Sequence, residues 1–375
     1  MKIAIFENIM TAGGHEVEFD RILVEELSAL GHDIKFYVPE NFIFRFNYNV
    51  PVTKLSGDAV VYNTSRGIRK IVASIKREIN RQRWYSQLYA AQKDFDALIV
   101  PTSTYRYLRA LNHSELKKIS VPMIFILHGI NPKDKSNFLE VAEKLLPYPN
   151  VKLCVITLAE NIFSLQLPNI FPMYPPTYIA RDIKNFVHKR NDVFTIGFYG
   201  QYRREKNLRD LLDVFVNQSY KRKVRMIVQG STIHEEDAAD FENIIAQYKN
   251  FDSLTFIHKG LIGAEWQQAI MDADALLMPY SSPRYKYTLS GMLFTAIGFK
   301  KPVIASNDIH PELWQKFKIG ETFESGNLHG LDKALKILID DFDENISTYE
   351  KNLDEAAEIF SPQNFARNLL KLIQS

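Results

Sequence analysis

ALLMPYSSPRYKYTLSGMLFTAIGFKKPVIASN, residues Ala275–Asn307, decides the fold reading of this chain. It opens on an apolar run, Ala275–Met278, stopped by Pro279-Tyr280. It closes on a second, Val303–Ala305, introduced by Lys301-Pro302. Between them Thr288-Leu289-Ser290-Gly291 precede an apolar segment, Met292–Phe299, that reads as a helix with Thr288 as its cap. Buried strand, loop, helix and buried strand form the unit of a parallel sheet, and such sheets bind ligands beyond the carboxyl ends of their strands. The loop here holds Arg284, Tyr285, Lys286 and Tyr287, then a helix start. Unpaired N–H groups and a positive dipole end suit an anion there. Gly291 admits close approach and Ser290 adds a hydroxyl. The residues read equally as a phosphate cradle and as a plain capped helix behind a solvated loop.

The same unit recurs on both sides. Lys2–Phe6 is a strand, Thr11–His15 a Gly-containing loop, and the segment from Val17 to Leu30 an amphipathic helix stopped at Gly31-His32, before a strand at Ile34–Val38. Ala97–Val100, Met123–Leu127 and Leu153–Thr157 continue the series. A second series starts with Phe194–Tyr199, a polar loop Gly200–Asn207, a helix Leu208–Val216 and a strand Val224–Gln229, then Leu254–Ile257. Pro172–Pro176 separates the two and reads as a stiff linker. The loop after Tyr199 places Arg203, Arg204 and Lys206 ahead of a helix, where cations are unfavourable unless an anion binds.

Composition sets the boundaries. With 375 residues the chain has room for two domains, and a net charge of +2 excludes a generally basic nucleic-acid binder. One cysteine, Cys154, excludes a disulfide framework and a multi-cysteine metal site, and the nine histidines form no metal-spaced cluster. No metal site is expected. There is no Walker sequence and no G-x-G-x-x-G, which disfavours P-loop kinases and NAD enzymes. No apolar run approaches the roughly 18 residues of a membrane span, and the start, MKIAIFENIM, lacks a signal peptide's apolar region. The expected location is the cytoplasm. The near-neutral sum hides Arg66–Arg83, RGIRKIVASIKREINRQR, with seven basic residues against Glu78. Its Ile68, Ile71, Val72, Ile75 and Ile79 recur at helical spacing. A basic amphipathic helix of this kind, with Arg69, Lys70, Lys76 and Arg77 toward lipid, can rest on the inner face of an anionic membrane. It can equally pack its isoleucines on the sheet. The aromatic run Phe42–Phe46 is a second candidate for insertion.

Taken together, the pattern resembles the nucleotide-sugar-dependent glycosyltransferases of the GT-B fold, in the large retaining, family 4-like (group 1) set of bacterial glycan-assembly enzymes. Gly13-Gly14-His15, Leu127-His128-Gly129-Ile130-Asn131, Gly200–Lys206, Leu254–Gly260 with Glu265-Trp266, Ala273–Pro279 and Lys301–Ser306 carry the resemblance across the whole length. It implies two Rossmann-like parallel-sheet domains facing across a cleft. Residues 1–175 would be the acceptor domain and 176–360 the donor domain, with 361–375 a final helix free to cross back to the first. It implies a donor site of Gln201, Arg203, Arg204, Lys206, Gly230, Gly260, Leu261, Tyr287, Thr288, Ser290, Gly291 and Thr295. Gly13, Gly14 and His15 would face the acceptor, and His128 would be the catalytic residue beside the reacting sugar. Two departures stand out. Gln201 replaces the group's arginine, and Tyr287 and Thr295 occupy the positions of its paired glutamates.

The expected activity is retaining, metal-independent transfer of a sugar from a nucleoside diphosphate to a glycan or lipid-linked acceptor, in the manner of the hexosyltransferases of bacterial surface polysaccharide or glycoconjugate synthesis. No cofactor and no nucleic-acid partner is expected. The alternatives are a sugar-nucleotide epimerase of the same fold and a catalytically silent scaffold or sugar-nucleotide sensor.

Overall fold

A computed structural model describes residues 1–10, 15–59, 68–159, 167–183 and 192–375, with the backbone alone for His15, Ile68, Arg69 and Lys70. Gly13 and Gly14, and the side chains of His15, Arg69 and Lys70, lie outside the described part.

Two parallel sheets organise the chain. The first runs β3-β2-β1-β4-β5-β6-β7. Its strands are β1 (Lys2–Phe6), β2 (Asp33–Pro39), β3 (Val52–Leu55), β4 (Ala97–Val100), β5 (Met123–Leu127), β6 (Val151–Ile156) and β7 (Ile170–Met173). The second runs β10-β9-β8-β11-β12-β13. It comprises β8 (Phe194–Phe198), β9 (Val224–Gln229), β10 (Leu254–Ile257), β11 (Ala275–Met278), β12 (Val303–Ser306) and β13 (Gly320–Phe323). Every residue of β4, β5 and β6 is buried, as the apolar runs of a sheet covered on both faces must be, with Lys152 in β6 the one charged member. Each buried Val, Leu or Ile side chain contributes about 1.5–3 kcal/mol.

The chain clusters into two compact units, one of Met1–Thr11, Phe19–Pro175 and Gln363–Ser375, the other of Ala12–Glu18 and Pro176–Pro362. The last helix, Pro362–Gln374, therefore belongs largely to the first unit. There Phe365 meets Phe19 edge-on at 5.6 Å, and Lys152 Nζ donates to the Leu372 carbonyl at 2.6 Å.

Two local readings need correction. Pro172 and Met173 are not linker but part of β7, which lies at the sheet edge, where a missing N–H costs no ladder bond. The helix after the tyrosine loop is Gly291–Gly298 with Ser290, not Thr288, at its cap position. Thr288 spends its hydroxyl on the Arg284 carbonyl instead, at 2.9 Å.

The Lys-Pro segment is structural. Lys301 Nζ donates to the carbonyls of Met271 and Ala273 at 2.8 and 2.5 Å, where a helix C-terminus favours a cation. Asp274 Oδ2 accepts the Thr195 N–H at 2.7 Å and so ties the entry of β11 to that of β8.

Candidate functional site

The strand order of the second sheet reverses between β8 and β11, each of which pairs with a further strand on its other side. Connections leave such a pair toward opposite faces and open a crevice at its carboxyl end. Tyr199-Gly200 follow β8 there, and Pro279-Tyr280 follow β11. Gly200 has φ 105°, a conformation that suits glycine, and its N–H donates to Gln229 Oε1 at 2.8 Å. A Cβ at Gly200 would sit 3.6 Å from Lys206 Nζ. The tight turn thus returns the chain so that Lys206 stands against the strand end.

Lys206 is buried, with 8% of its surface exposed. Its ammonium lies 4.7 Å from the Tyr280 ring centre and 5.8 Å from that of Phe198. Burial first, then the charges of Arg203 and Arg284, push its pKa down to about 7, with Glu205 opposing. One carboxylate oxygen, Glu205 Oε1, serves both arginines, at 2.9 Å from Arg284 Nη2 and 3.8 Å from Arg203 Nη1. Three cations therefore share a single acidic side chain. A buried ammonium in such surroundings is costly unless an anion joins it.

Beside this cluster begins the helix Gly291–Gly298. The Ser290 N–H donates to His310 Nε2 at 3.1 Å. Burial holds the His310 pKa down at about 4, so the ring is neutral and carries its proton on Nδ1. The N–H groups of Gly291 and Met292, first in the helix, have no intrahelical acceptor. Ser290 Oγ is buried without a partner. The same holds for Tyr199 Oη, Tyr280 Oη and Trp266 Nε1. All four residues line one pocket of about 1030 Å³ in the second unit. Buried polar atoms are nearly always paired, so four around one cavity mark a place completed by water or ligand.

The pocket gathers Gln201, Arg203, Lys206, Gly260, Leu261, Ser290, Gly291 and Thr295 from the sequence-predicted set. Four others do not line it. Arg204 turns outward to Asp240 at 3.5 Å. Gly230 packs against Phe241, whose ring a Cβ would meet at 2.7 Å, and its neighbours Gln229 and Ser231 reach the pocket in its place. Tyr287 and Thr288 stay in the outer turn of the loop, their N–H groups donating to the Arg284 carbonyl. Thr295 bonds back to the Gly291 carbonyl at 2.9 Å. His128 follows β5 in the first unit, where its Nε2 donates to the Pro101 carbonyl at 2.8 Å and its ring meets Phe19 edge-on.

Lining residues missed in the sequence include Glu16 and Glu18, whose segment clusters with the second unit. Glu18 Oε2 accepts from Gln267 Nε2 at 2.9 Å. Their only sequence signal is an acidic first turn of a helix, which dipole stabilisation alone explains. His310 was also missed, lying twenty positions beyond the N–H it serves.

No protein-family model matches the chain, and no curated protein matches it. Solved structures do. HepE of Anabaena, crystallised with UDP and glucose, aligns with a TM-score of 0.69 at 14% identity over 100% of this chain and 99% of that one. Sucrose-phosphate synthase of Thermosynechococcus elongatus gives 0.68 at 15%, over 100% and 98%. The lipopolysaccharide outer core galactosyltransferase WaaB gives 0.62 at 16%, over 100% and 99%. The fold is that of the GT-B nucleotide-sugar glycosyltransferases.

Proposed function

We propose that the protein transfers a sugar from a nucleoside-diphosphate donor to a glycan or lipid-linked acceptor, as in bacterial surface polysaccharide synthesis. One observation carries this reading. A buried ammonium and two guanidiniums share one carboxylate next to a helix start, at the switch point of a parallel sheet. That arrangement suits a diphosphate. HepE, similar in fold, binds UDP-glucose, which favours a uridine nucleotide as the first donor to test.

In the proposed reaction the bond between the anomeric carbon and the diphosphate oxygen breaks, and negative charge grows on the departing phosphate. Lys206, Arg203 and Arg284 stand ready to stabilise it, with Ser290 Oγ and the N–H groups of Gly291 and Met292 completing the cradle. These groups supply the neutralisation without calling on a metal. The acceptor oxygen forms the new bond, and its proton goes to a base or to the departing phosphate. We further propose retention of anomeric configuration, in keeping with the resemblance of the sequence. Because Thr295 and Tyr287 supply no carboxylate, Glu16 and Glu18, which line the pocket, are the acidic candidates for the sugar hydroxyls.

Calorimetry with UDP-glucose, GDP-mannose and ADP-glucose tests the donor reading. Binding of at least one donor, weakened about 10- to 100-fold in Lys206→Met, is expected. Absence of binding by all three would refute it. Release of the nucleoside diphosphate on adding bacterial lipid extract then tests transfer, and the anomeric configuration of the product tests retention.

A further inference from the structure

Gln229 is the last residue of β9, which runs between β8 and β10, and its side chain is buried. Its Oε1 accepts the Gly200 N–H at 2.8 Å, beyond the end of β8. Its Nε2 donates to the Lys259 carbonyl, beyond the end of β10. One amide side chain therefore joins two loops that leave the strands on either side of its own.

The two loops serve different ends of the pocket. Gly200 opens the turn that returns Lys206 to the strand end, on the side of the cations and of the helix start at Gly291. Neighbouring strands lie about 4.8 Å apart, so the end of β10 is roughly 10 Å from that of β8. The lining there is Gly260, Leu261, Ile262 and Trp266, none of them charged. Lys259 turns its ammonium to Glu265 at 3.0 Å, and both side chains are exposed. An uncharged wall of backbone and one indole ring suits a nucleobase, as the cationic end suits a diphosphate.

The loops are held unequally. At Gly200 the backbone helps, since the Ser231 N–H donates to the Gly200 carbonyl at 3.2 Å and the Tyr202 N–H to the Ser231 carbonyl at 2.7 Å. At Lys259 it does not. Among the described residues, no hydrogen bond but that of Gln229 reaches the backbone of Lys259, Gly260, Leu261 or Ile262. The place of the uncharged wall relative to the Gly200 turn thus depends on this one side chain. We infer that Gln229 is a positioning residue that sets the spacing between the nucleobase end and the diphosphate end of the donor site. The inference rests on the donor reading and deepens it. Two linked parts of a ligand bind tightly together only where both subsites stand at the matching distance, whereas either part alone needs only its own end.

The test takes whichever of UDP, GDP and ADP the full-length parent binds best. It compares that nucleotide with its two halves, the nucleoside and inorganic pyrophosphate, by NMR titration. Gln229→Met keeps the length of the side chain and loses both hydrogen bonds. The nucleotide's affinity should fall at least about tenfold, while each half stays within about twofold of the parent. Gln229→Glu keeps an acceptor for Gly200 and loses the donor for Lys259. Its added charge weakens pyrophosphate and nucleotide alike, so the nucleotide's loss should still exceed the product of the losses of the halves. If Gln229→Met fails to fold, this variant decides. Unchanged nucleotide affinity overturns the inference and leaves the donor reading standing. A loss for one half that accounts for the whole loss of the nucleotide also overturns it, because Gln229 would then serve that end alone. A parent that binds none of the three nucleotides refutes the donor reading, and the inference with it.

Discussion

The backbone N–H of Ser290 is held by the imidazole of His310, two residues from different elements joined at 3.1 Å. His310 adopts a left-handed conformation, φ 44°, at the cap of the short helix Pro311–Trp314, and its own N–H donates to the Tyr285 carbonyl. The bond occupies one amide at the start of the helix Gly291–Gly298 and fixes the direction of the next two. His310 is thus a positioning residue for the proposed phosphate cradle. Replacing it with alanine leaves a buried N–H without an acceptor. A loss of about 1–3 kcal/mol from that amide is expected in urea unfolding, with weaker UDP binding. His310→Asn, which restores an acceptor, should recover part of both.

Lys206 sets up an opposition between stability and binding. Burial disfavours its charged form, and methionine has a similar length without the charge. Lys206→Met should therefore melt at a higher temperature than the parent at pH 7 when no ligand is present. Its UDP affinity should fall about 10- to 100-fold, since a hydrogen bond to a charged group contributes about 1.5–3 kcal/mol. A variant that melts lower and binds UDP normally would contradict both halves.

Proton linkage gives a separate reading of the same site. With its pKa at about 7, Lys206 is largely neutral in the free protein at pH 8. The groups facing it are Arg203, Arg284 and Glu205, and an added diphosphate outweighs the single carboxylate. Binding UDP at pH 8 should then take up close to one proton, and affinity should fall as pH rises above about 7. The sign for folding is also set. The folded pKa lies below the ordinary lysine value, so the unfolded chain binds more protons between about 7 and 10.5, and this group's contribution to stability rises with pH across that window. Calorimetry in phosphate and in Tris measures the proton uptake, which Lys206→Met should remove.

The fold and the site were legible to different depths. The interior strands announced themselves as apolar runs between turn residues, and Ala97–Val100, Met123–Leu127 and Ala275–Met278 stand as read, as does the edge strand Leu254–Ile257. The strands that escaped reading, β3, β7 and β13, all lie at sheet edges. Edge strands need bury only part of their surface, so Val52–Leu55 mixes polar with apolar residues and β7 admits Pro172. At the site, local sequence was enough for Lys206, Ser290 and Gly291, because a turn or a helix start carries its own signature. It was not enough for His310, Glu16 or Glu18, whose roles arise only when distant segments meet. Nor could it show that Arg204 and Tyr287 face away from the pocket, since loop geometry decides where a side chain points.

Gly230 separates packing from binding. The resemblance of the sequence gave it a place in the nucleoside pocket, yet an added Cβ would stand 2.7–3.1 Å from three atoms of the Phe241 ring. Phe241 is itself fully buried and inclined against Tyr202 at 4.9 Å, so the ring has little room to retreat. The Gly230 N–H meanwhile bonds the Ile257 carbonyl and holds the end of β9 to β10. Gly230→Ala should therefore cost about 1–3 kcal/mol of stability through overpacking. At a temperature where the variant is fully folded, its UDP affinity should stay within about threefold of the parent, a change of under about 0.7 kcal/mol. The double variant Gly230→Ala with Phe241→Leu relieves the clash, though it also removes ring packing. It should be less destabilised than the two single changes added together, because neighbours that share a clash are not independent. If Gly230→Ala instead melts like the parent and loses UDP binding, the glycine serves the ligand and the packing account fails.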